Sequence, residues 1–128
     1  MGPVRLQTQV EISLTDAIGS GAVPPIRLSG DLQGSSPAVL TGPSGKVELK
    51  EGLIIAKRHF HCATDEAKKY KLKNGDTISV EIEGTRAVIF ENIPVRVKDN
   101  YKSCFHIDTD EGNASGVNKM GEGIIIKK

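Results

Sequence analysis

Apolar and polar residues alternate along much of the chain, in short runs separated by turn formers. The stretches DTISVEIEG (76–84) and RAVIFENIPVRVKD (86–99) both alternate in this way, which is typical of antiparallel strands with one buried face. Further strands are predicted at residues 45–61, 101–107 and 121–128. Within residues 45–61, the pattern predicts two strands separated by a turn at Lys50–Gly52.

Helical signals are short by comparison, and they lie at residues 14–19, 64–71 and 109–115. The segment 19–45 is rich in turn formers and predicts loop with strand fragments. There is too little helix for a doubly wound sheet, so we expect a mainly β fold built as small β-barrels capped by short α-helices. We predict a partial first barrel at residues 1–53 and a second barrel unit at residues 54–128.

Composition and charge narrow the class of protein. The 128 residues carry a net charge of +1, 4% aromatic residues, no Trp and two cysteines. Mixed charges and few aromatic rings argue against nucleic-acid binding. Two cysteines do not make a disulfide framework, which favours a reduced, cytoplasmic setting. No apolar run approaches 18 residues and no signal-peptide region is seen, so we expect a soluble intracellular protein that does not bind a membrane.

A weak internal repeat places an acidic turn after three strand ends. Its three copies are EISLTDA (11–17), HCATDEA (61–67) and HIDTDEGNA (106–114). Each copy predicts a helix start with a carboxylate at the third helical position, where it favours the helix N-terminus and can close a capping box.

Residues of metal-ligand type precede each predicted helix start. The predicted N-caps are Ser13, Ala63 and Asp108, with Thr64 as an alternative to Ala63 because alanine is a poor cap. The residues two positions before these caps are Glu11, His61 and His106. The repeat therefore places a metal-ligand residue type at the same point in each copy.

Two of the three histidines, His59 and His61, are two residues apart and would project from the same face of a strand. Neutral imidazole is a common zinc ligand, and a catalytic zinc typically takes three protein ligands and leaves one position open. His106 would be the third ligand. The alternative is two surface histidines on a strand end and one unrelated histidine, but the repeat favours a metal site.

The stretch RLQTQVE (5–11) alternates and would align Arg5 and Glu11 on one face of a strand. Such a polar stripe is commonly only the hydrated face of a sheet. In a functional interpretation, an arginine near a metal-binding carboxylate could hold an oxyanion in bidentate fashion.

The two cysteines are predicted to face different sides of their strands. Cys62 should lie opposite His61 as a small core residue. Cys104 shares a side with His106 and is either small core filler, the favoured interpretation, or a thiolate near the metal.

With these motifs in order, the chain resembles the PduL-type phosphate propanoyltransferase (phosphotransacylase) family of bacterial microcompartments and their cytoplasmic relatives. The resemblance is carried in register by QTQVEIS, PPIRLSGDLQGS, GKVELKEGLIIAKRHFH, LKNGDTISVEIEG, NIPVRV and HIDTDEGNASG. Each motif alone is weak, but their combination is specific.

The resemblance implies an enzyme of two small capped β-barrels that hold a pair of zinc ions and exchange coenzyme A for phosphate on a short acyl group. It implies that His59, His61 and His106 hold one zinc, that Glu11 is a ligand to the second, and that Arg5 binds phosphate. The implied reaction converts propanoyl-coenzyme A and phosphate to propanoyl phosphate and coenzyme A, by direct phosphate attack assisted by zinc.

One expected feature of the family is absent from the sequence. Family members carry an upstream Arg-His-x-His motif that supplies the remaining ligands of the Glu11 zinc, and this chain has no further histidine to replace it. The chain therefore resembles the C-terminal part of the enzyme, with one complete metal site and half of another. We expect a homo-oligomer or a complementing N-terminal segment, and a location in the cytoplasm or in a microcompartment lumen.

Two alternative functions remain open at the level of the sequence. The chain could be an inactive or partner-dependent metal-binding β-barrel fragment of that enzyme. More distantly, HFHCATDE could belong to a cupin-like metal oxygenase or isomerase, although Glu66 then falls in a helix-start pattern where a cupin would have a strand.

Overall fold

The computed structural model describes residues 4–127 and is mainly β, with a curled half-barrel sheet, as the sequence predicts. The chain divides into two units between Lys57 and Arg58, and the predicted domain boundary at residues 53–54 stays a prediction. The elements of the first unit are β1 (Val10–Ile12), α1 (Leu14–Ser20), β2 (Ile26–Arg27), β3 (Ser36–Gly42) and β4 (Gly45–Ala56). Those of the second unit are β5 (His59–Ala63), α2 (Thr64–Tyr70), β6 (Thr77–Ile82), β7 (Val88–Lys98), β8 (Cys104–His106), α3 (Thr109–Ser115) and β9 (Ile124–Lys127).

The first unit is a sheet organised around the long strand β4. Strands β1 and β2 both pair with β4 in parallel, and β3 pairs with it as an antiparallel hairpin that closes at Gly42 and Gly45. The buried end of β4 carries Leu53, Ile54 and Ile55, a continuous apolar run of the kind found where both faces of a strand are covered.

The second unit is a five-stranded sheet with the order β8-β5-β7-β6-β9. Strands β5 and β7 are parallel, and the other three pairs are antiparallel. Alternate residues of β5, β6 and β7 bury their side chains in one core, which includes Phe60, Cys62, Ile78, Val80, Ile93 and Val95. Since side chains alternate across a strand, the residues between them lie on the opposite face.

The three helices begin where the acidic turns predict them, at the N-caps Ser13, Ala63 and Asp108. The Asp108 side chain accepts from the Glu111 backbone N–H, and Glu111 accepts from the Asp108 backbone N–H, which closes a capping box. Ala63 makes no side-chain cap bond. The alternative cap at Thr64 is wrong, because Thr64 is the first helical residue and its hydroxyl bonds Asp99.

Two strand predictions are wrong. The predicted turn at Lys50–Gly52 does not form, because β4 runs through it; Gly52 instead adopts φ +128° within the strand. A Cβ at Gly52 would lie 2.5 Å from the Thr8 carbonyl oxygen, so glycine here permits a close approach of two backbones. The alternating stretch 5–11 is not a full strand either, since β1 begins only at Val10.

Candidate metal centre

The three histidines of the chain come together on one face of the second unit. His59 and His106 are register partners of the antiparallel strands β5 and β8, and His61 lies opposite Cys104. Phe60 and Phe105 form the pair between them, and their side chains belong to the apolar side of the sheet. The strand alternation therefore separates a histidine face from a core face.

The geometry of the histidine group suits one metal ion. The ring centroids are 4.6 Å apart for His59 and His61, 5.0 Å for His59 and His106, and 4.6 Å for His61 and His106. One nitrogen from each ring lies within 4.8 Å of the others. Nitrogens around a tetrahedral zinc are about 3.3 Å apart, given bonds of about 2.0–2.1 Å, so small side-chain rotations would suffice to close the group on an ion.

Two of the three histidines, His61 and His106, favour the neutral state that a metal requires. The pKa of His61 is lowered to about 4, first by burial and then by the positive charge of His59, His106, Arg96 and Lys98. Burial also lowers the pKa of His106, with a smaller effect from His59. Three imidazoles this close cannot all carry a proton without mutual repulsion, so the group favours lone pairs over N–H donors.

An ion pair joins the two segments that carry the histidines. The Arg58 guanidinium, directly before His59, donates to the Glu111 carboxylate at 2.8 Å and to the Glu91 carbonyl oxygen at 2.7 and 3.1 Å. Glu111 is also the capping-box residue of α3, three residues after Asp108. The start of β5 is thereby tied to the helix that follows His106, and both ends of the pair are largely shielded from water.

Tyr101 also contacts this site, although no sequence pattern predicts it. Its ring stacks on that of His61, with centroids 4.0 Å apart and an interplanar angle of 13°. The Lys98 ammonium lies over the Tyr101 ring, 5.4 Å from its centroid. Tyr101 lies between the turn at residues 99–100 and β8, and no periodicity in the sequence marks it as a neighbour of β5.

The cysteines divide as the alternation predicts, but only one prediction of their environment is confirmed. Cys62 is fully buried in the core, where burial raises the pKa of its thiol. Cys104 is exposed, so its favoured interpretation as core filler is wrong. Its sulfur is also outside the group of three histidines that could hold a metal.

Arg5 and Glu11 belong to the first unit, where a small polar network contains them both. The Arg5 guanidinium donates to the Ser29 hydroxyl at 2.9 Å. Gln9 donates to the same hydroxyl at 3.0 Å and to the Glu11 carboxylate, and its carbonyl oxygen accepts from the Gly30 backbone N–H at 2.7 Å. The loop at residues 29–30 thus orients both residues predicted to act here.

The fold and the histidine group define a mainly β protein with a site that could hold a metal ion. The sequence model of the family described as phosphate propanoyltransferase matches residues 1–118. The chain belongs to the phosphate propanoyltransferase family, which confirms the resemblance predicted from its motifs.

Curated relatives named phosphate propanoyltransferase match over most of this chain. The protein from Thermotoga maritima is 46% identical over 119 residues, which cover 92% of this chain and 57% of the relative. That from Shewanella putrefaciens is 48% identical over 118 residues, covering 91% and 56%. That from Listeria monocytogenes is 42% identical over 128 residues, covering 100% and 60%. The chain thus spans rather more than half the length of these relatives.

Within residues 4–127, no helix is long and apolar enough to cross a membrane. Glu66 lies in α2, away from the strand position that a cupin-like site would require. The distant alternative of a cupin-like oxygenase or isomerase therefore has no support from the placement of its carboxylate.

Proposed function

We propose that this chain carries the zinc-binding part of a phosphate acyltransferase that exchanges coenzyme A and phosphate on a short-chain acyl group, with propanoyl-coenzyme A as substrate. The observation that supports it is the convergence of His59, His61 and His106 in a chain of the phosphate propanoyltransferase family. Because the relatives are longer than this chain, its activity, substrates and partners are inferred from theirs.

His59, His61 and His106 would hold one zinc ion, leaving a fourth position open to substrate. When bound, zinc would act as a Lewis acid toward a carbonyl or phosphate oxygen. Glu11 would be a ligand to a second zinc. Its carboxylate accepts from Gln9, which holds it in one orientation as a ligand requires.

Arg5 would bind the attacking phosphate, since a guanidinium can pair two of its N–H groups with two phosphate oxygens. A phosphate oxygen then forms a bond to the acyl carbonyl carbon, the carbon–sulfur bond breaks, and coenzyme A leaves as a thiolate. Holding both reactants in one site lowers the entropic part of the barrier.

No covalent acyl-enzyme is needed for this exchange. The Cys62 thiol is fully buried and its pKa is raised by burial, so it is a poor nucleophile. Cys104 is exposed but lies outside the histidine group. An acyl group found on either cysteine by intact-mass measurement, after incubation with propanoyl-coenzyme A, would contradict direct attack.

The test is phosphate-dependent release of the coenzyme A thiol from propanoyl-coenzyme A by the purified chain with added zinc. We expect release that His59→Ala abolishes and that Lys68→Gln leaves unchanged, since Lys68 lies exposed on α2. Release that survives loss of each histidine in turn would refute a catalytic role for the group.

A partner-dependent metal-binding unit is the second candidate function. It is favoured by the distribution of ligand types: all three histidines lie in the second unit, so Glu11 has no histidine in its own unit. A folded chain that binds zinc yet releases no thiol would support this alternative. Light scattering over a range of concentrations then distinguishes a homo-oligomer that completes the site from a monomer awaiting another segment.

By the same resemblance, we propose a cytoplasmic or microcompartment-lumen location and a role in propanediol degradation. Cell fractionation would distinguish the two locations, because a lumen protein co-purifies with microcompartments and a cytoplasmic protein does not.

A further inference from the structure

Two basic residues of β7 lie beside the histidine group. In the parallel pairing of β5 with β7, His61 is the register partner of Arg96, and Ala63 is the partner of Lys98. Register partners on adjacent strands project from the same face of a sheet. Arg96 and Lys98 therefore share the histidine face, whereas their neighbour Val95 is buried in the core.

The side chains that β7 adds to the histidine face bring positive charge only. Arg96 and Lys98 are cationic at neutral pH, and Pro94, the preceding residue of β7 on the same face, carries no charge. A bound metal ion would add further positive charge. A face of this kind attracts an anion and holds it strongly, because it is partly shielded from water.

The Arg96 guanidinium is available to a ligand. Its side chain is half-buried, and among residues 4–127 the structure shows no hydrogen bond or ion pair that occupies it. Arg96 therefore keeps a planar set of N–H donors that suits a tetrahedral oxyanion.

We propose that Arg96, with Lys98 beside it, binds a phosphoryl group next to the metal held by the histidines. The inference rests on the proposed function and names an anion contact within the second unit. The ligand chemistry is a phosphate group, carried either by inorganic phosphate or by coenzyme A.

The experiment titrates inorganic phosphate into the ¹⁵N-labelled chain at pH 7, once free of metal and once with one equivalent of zinc. The Arg96 Nε–Hε signal is assigned by its loss in Arg96→Gln. We expect it to shift saturably with phosphate. Followed through the backbone amide signals of β5 and β7, which both proteins share, phosphate binding should be at least tenfold weaker in Arg96→Gln. Arg96→Lys should lie between the two, because it keeps the charge and loses the fork of donors. Lys68→Gln removes one positive charge elsewhere and should change nothing.

A structural role for Arg96 is distinguished by zinc affinity, measured in competition with a chelator. Removing a positive neighbour of His61 should leave zinc binding unchanged or tighter in Arg96→Gln. Weaker zinc and phosphate binding together would overturn the proposal in favour of a structural role. Phosphate binding equal to wild type in Arg96→Gln, or no saturable shift in either titration, would also overturn it.

The same titrations separate this inference from the proposed function. If the Arg96 signal shifts with phosphate but the chain binds no zinc, the anion site is supported and the proposed metal site is refuted. Titration with coenzyme A and with pantetheine identifies the source of the phosphate. A shift with inorganic phosphate assigns Arg96 to the attacking group, whereas a shift only with coenzyme A, and not with phosphate-free pantetheine, assigns it to the carrier.

Discussion

At the scale of single residues, the histidine group is marked by what favours the neutral form of His61 and His106. The pKa of His61 is lowered first by burial and then by the nearby His59, His106, Arg96 and Lys98. A neutral ring with an available lone pair binds a metal without first releasing a proton. The electrostatics that disfavour a proton at His61 thus prepare the same nitrogen for a metal.

The metal-free chain should show this in a histidine NMR titration. We expect His61 to titrate near pH 4, against its ordinary value of 6.5, and His59→Ala to raise the pKa of His61 by removing the largest charge effect after burial. Between about pH 6.5 and 4 the unfolded chain binds a proton at His61 that the folded chain does not. Stability to urea should therefore fall as the pH drops through this window, and the loss due to His61 should be complete below about pH 4. A His61 midpoint at or above 6.5 would contradict the account.

At the scale of elements, each unit contains a contact between segments that are distant in the sequence. Arg58 ties the start of β5 to the capping residue of α3, and Gly52 lets the chain before β1 approach β4. Each contact gives a prediction with a control on the same chain.

Loss of the Arg58–Glu111 pair should destabilise the second unit. Arg58→Met leaves the Glu111 carboxylate and the Glu91 carbonyl without charged donors, and the expected loss is about 1.5–3 kcal/mol in the free energy of unfolding. Lys46→Met is the control, because the Lys46–Glu48 pair has 58% and 74% exposed side chains and should contribute under about 1 kcal/mol. Urea denaturation followed by circular dichroism measures both, and equal losses would refute the importance of the shielded pair.

Gly52→Ala should destabilise the first unit by more than about 1 kcal/mol. The new Cβ would meet the Thr8 carbonyl oxygen, and φ +128° is a conformation that alanine rarely adopts. Gly19→Ala is the matched control, since Gly19 lies in α1 with nothing within 4 Å of a Cβ, and alanine there should gain about 0.5–1 kcal/mol. The same denaturation measurement applies, and a neutral Gly52→Ala would contradict the close approach.

At the scale of the whole molecule, the two units should respond differently to zinc. One equivalent of zinc should slow hydrogen exchange in β5 and β8, which carry the histidines, and leave β3 and the first half of β4 unchanged, because binding stabilises the state that holds the ligands together. Exchange followed by mass spectrometry measures this segment by segment. Equal protection throughout the chain, or protection retained in His106→Ala, would argue against a site in the second unit.

Much of this molecule could be predicted from local patterns. Acidic residues after strand ends predict the three helix starts. The two-residue spacing of His59 and His61 predicts that these histidines share one face of a strand. The rest depends on pairing between distant strands. The parallel contact of β5 with β7 brings Arg96 to His61 across 35 positions, and no local pattern reports such a pairing. The predicted turn at Lys50–Gly52 was wrong because a glycine in a long strand resembles a turn signal.

Equilibrium zinc binding, measured in competition with a chromophoric chelator, is the decisive test of whether His59, His61 and His106 together bind one metal ion. The expected result is one tightly bound zinc per chain, an affinity at least a hundredfold lower in each single histidine-to-alanine variant, and no change in Lys68→Gln. A folded chain that binds no zinc, or one whose zinc affinity survives all three histidine substitutions, would contradict it.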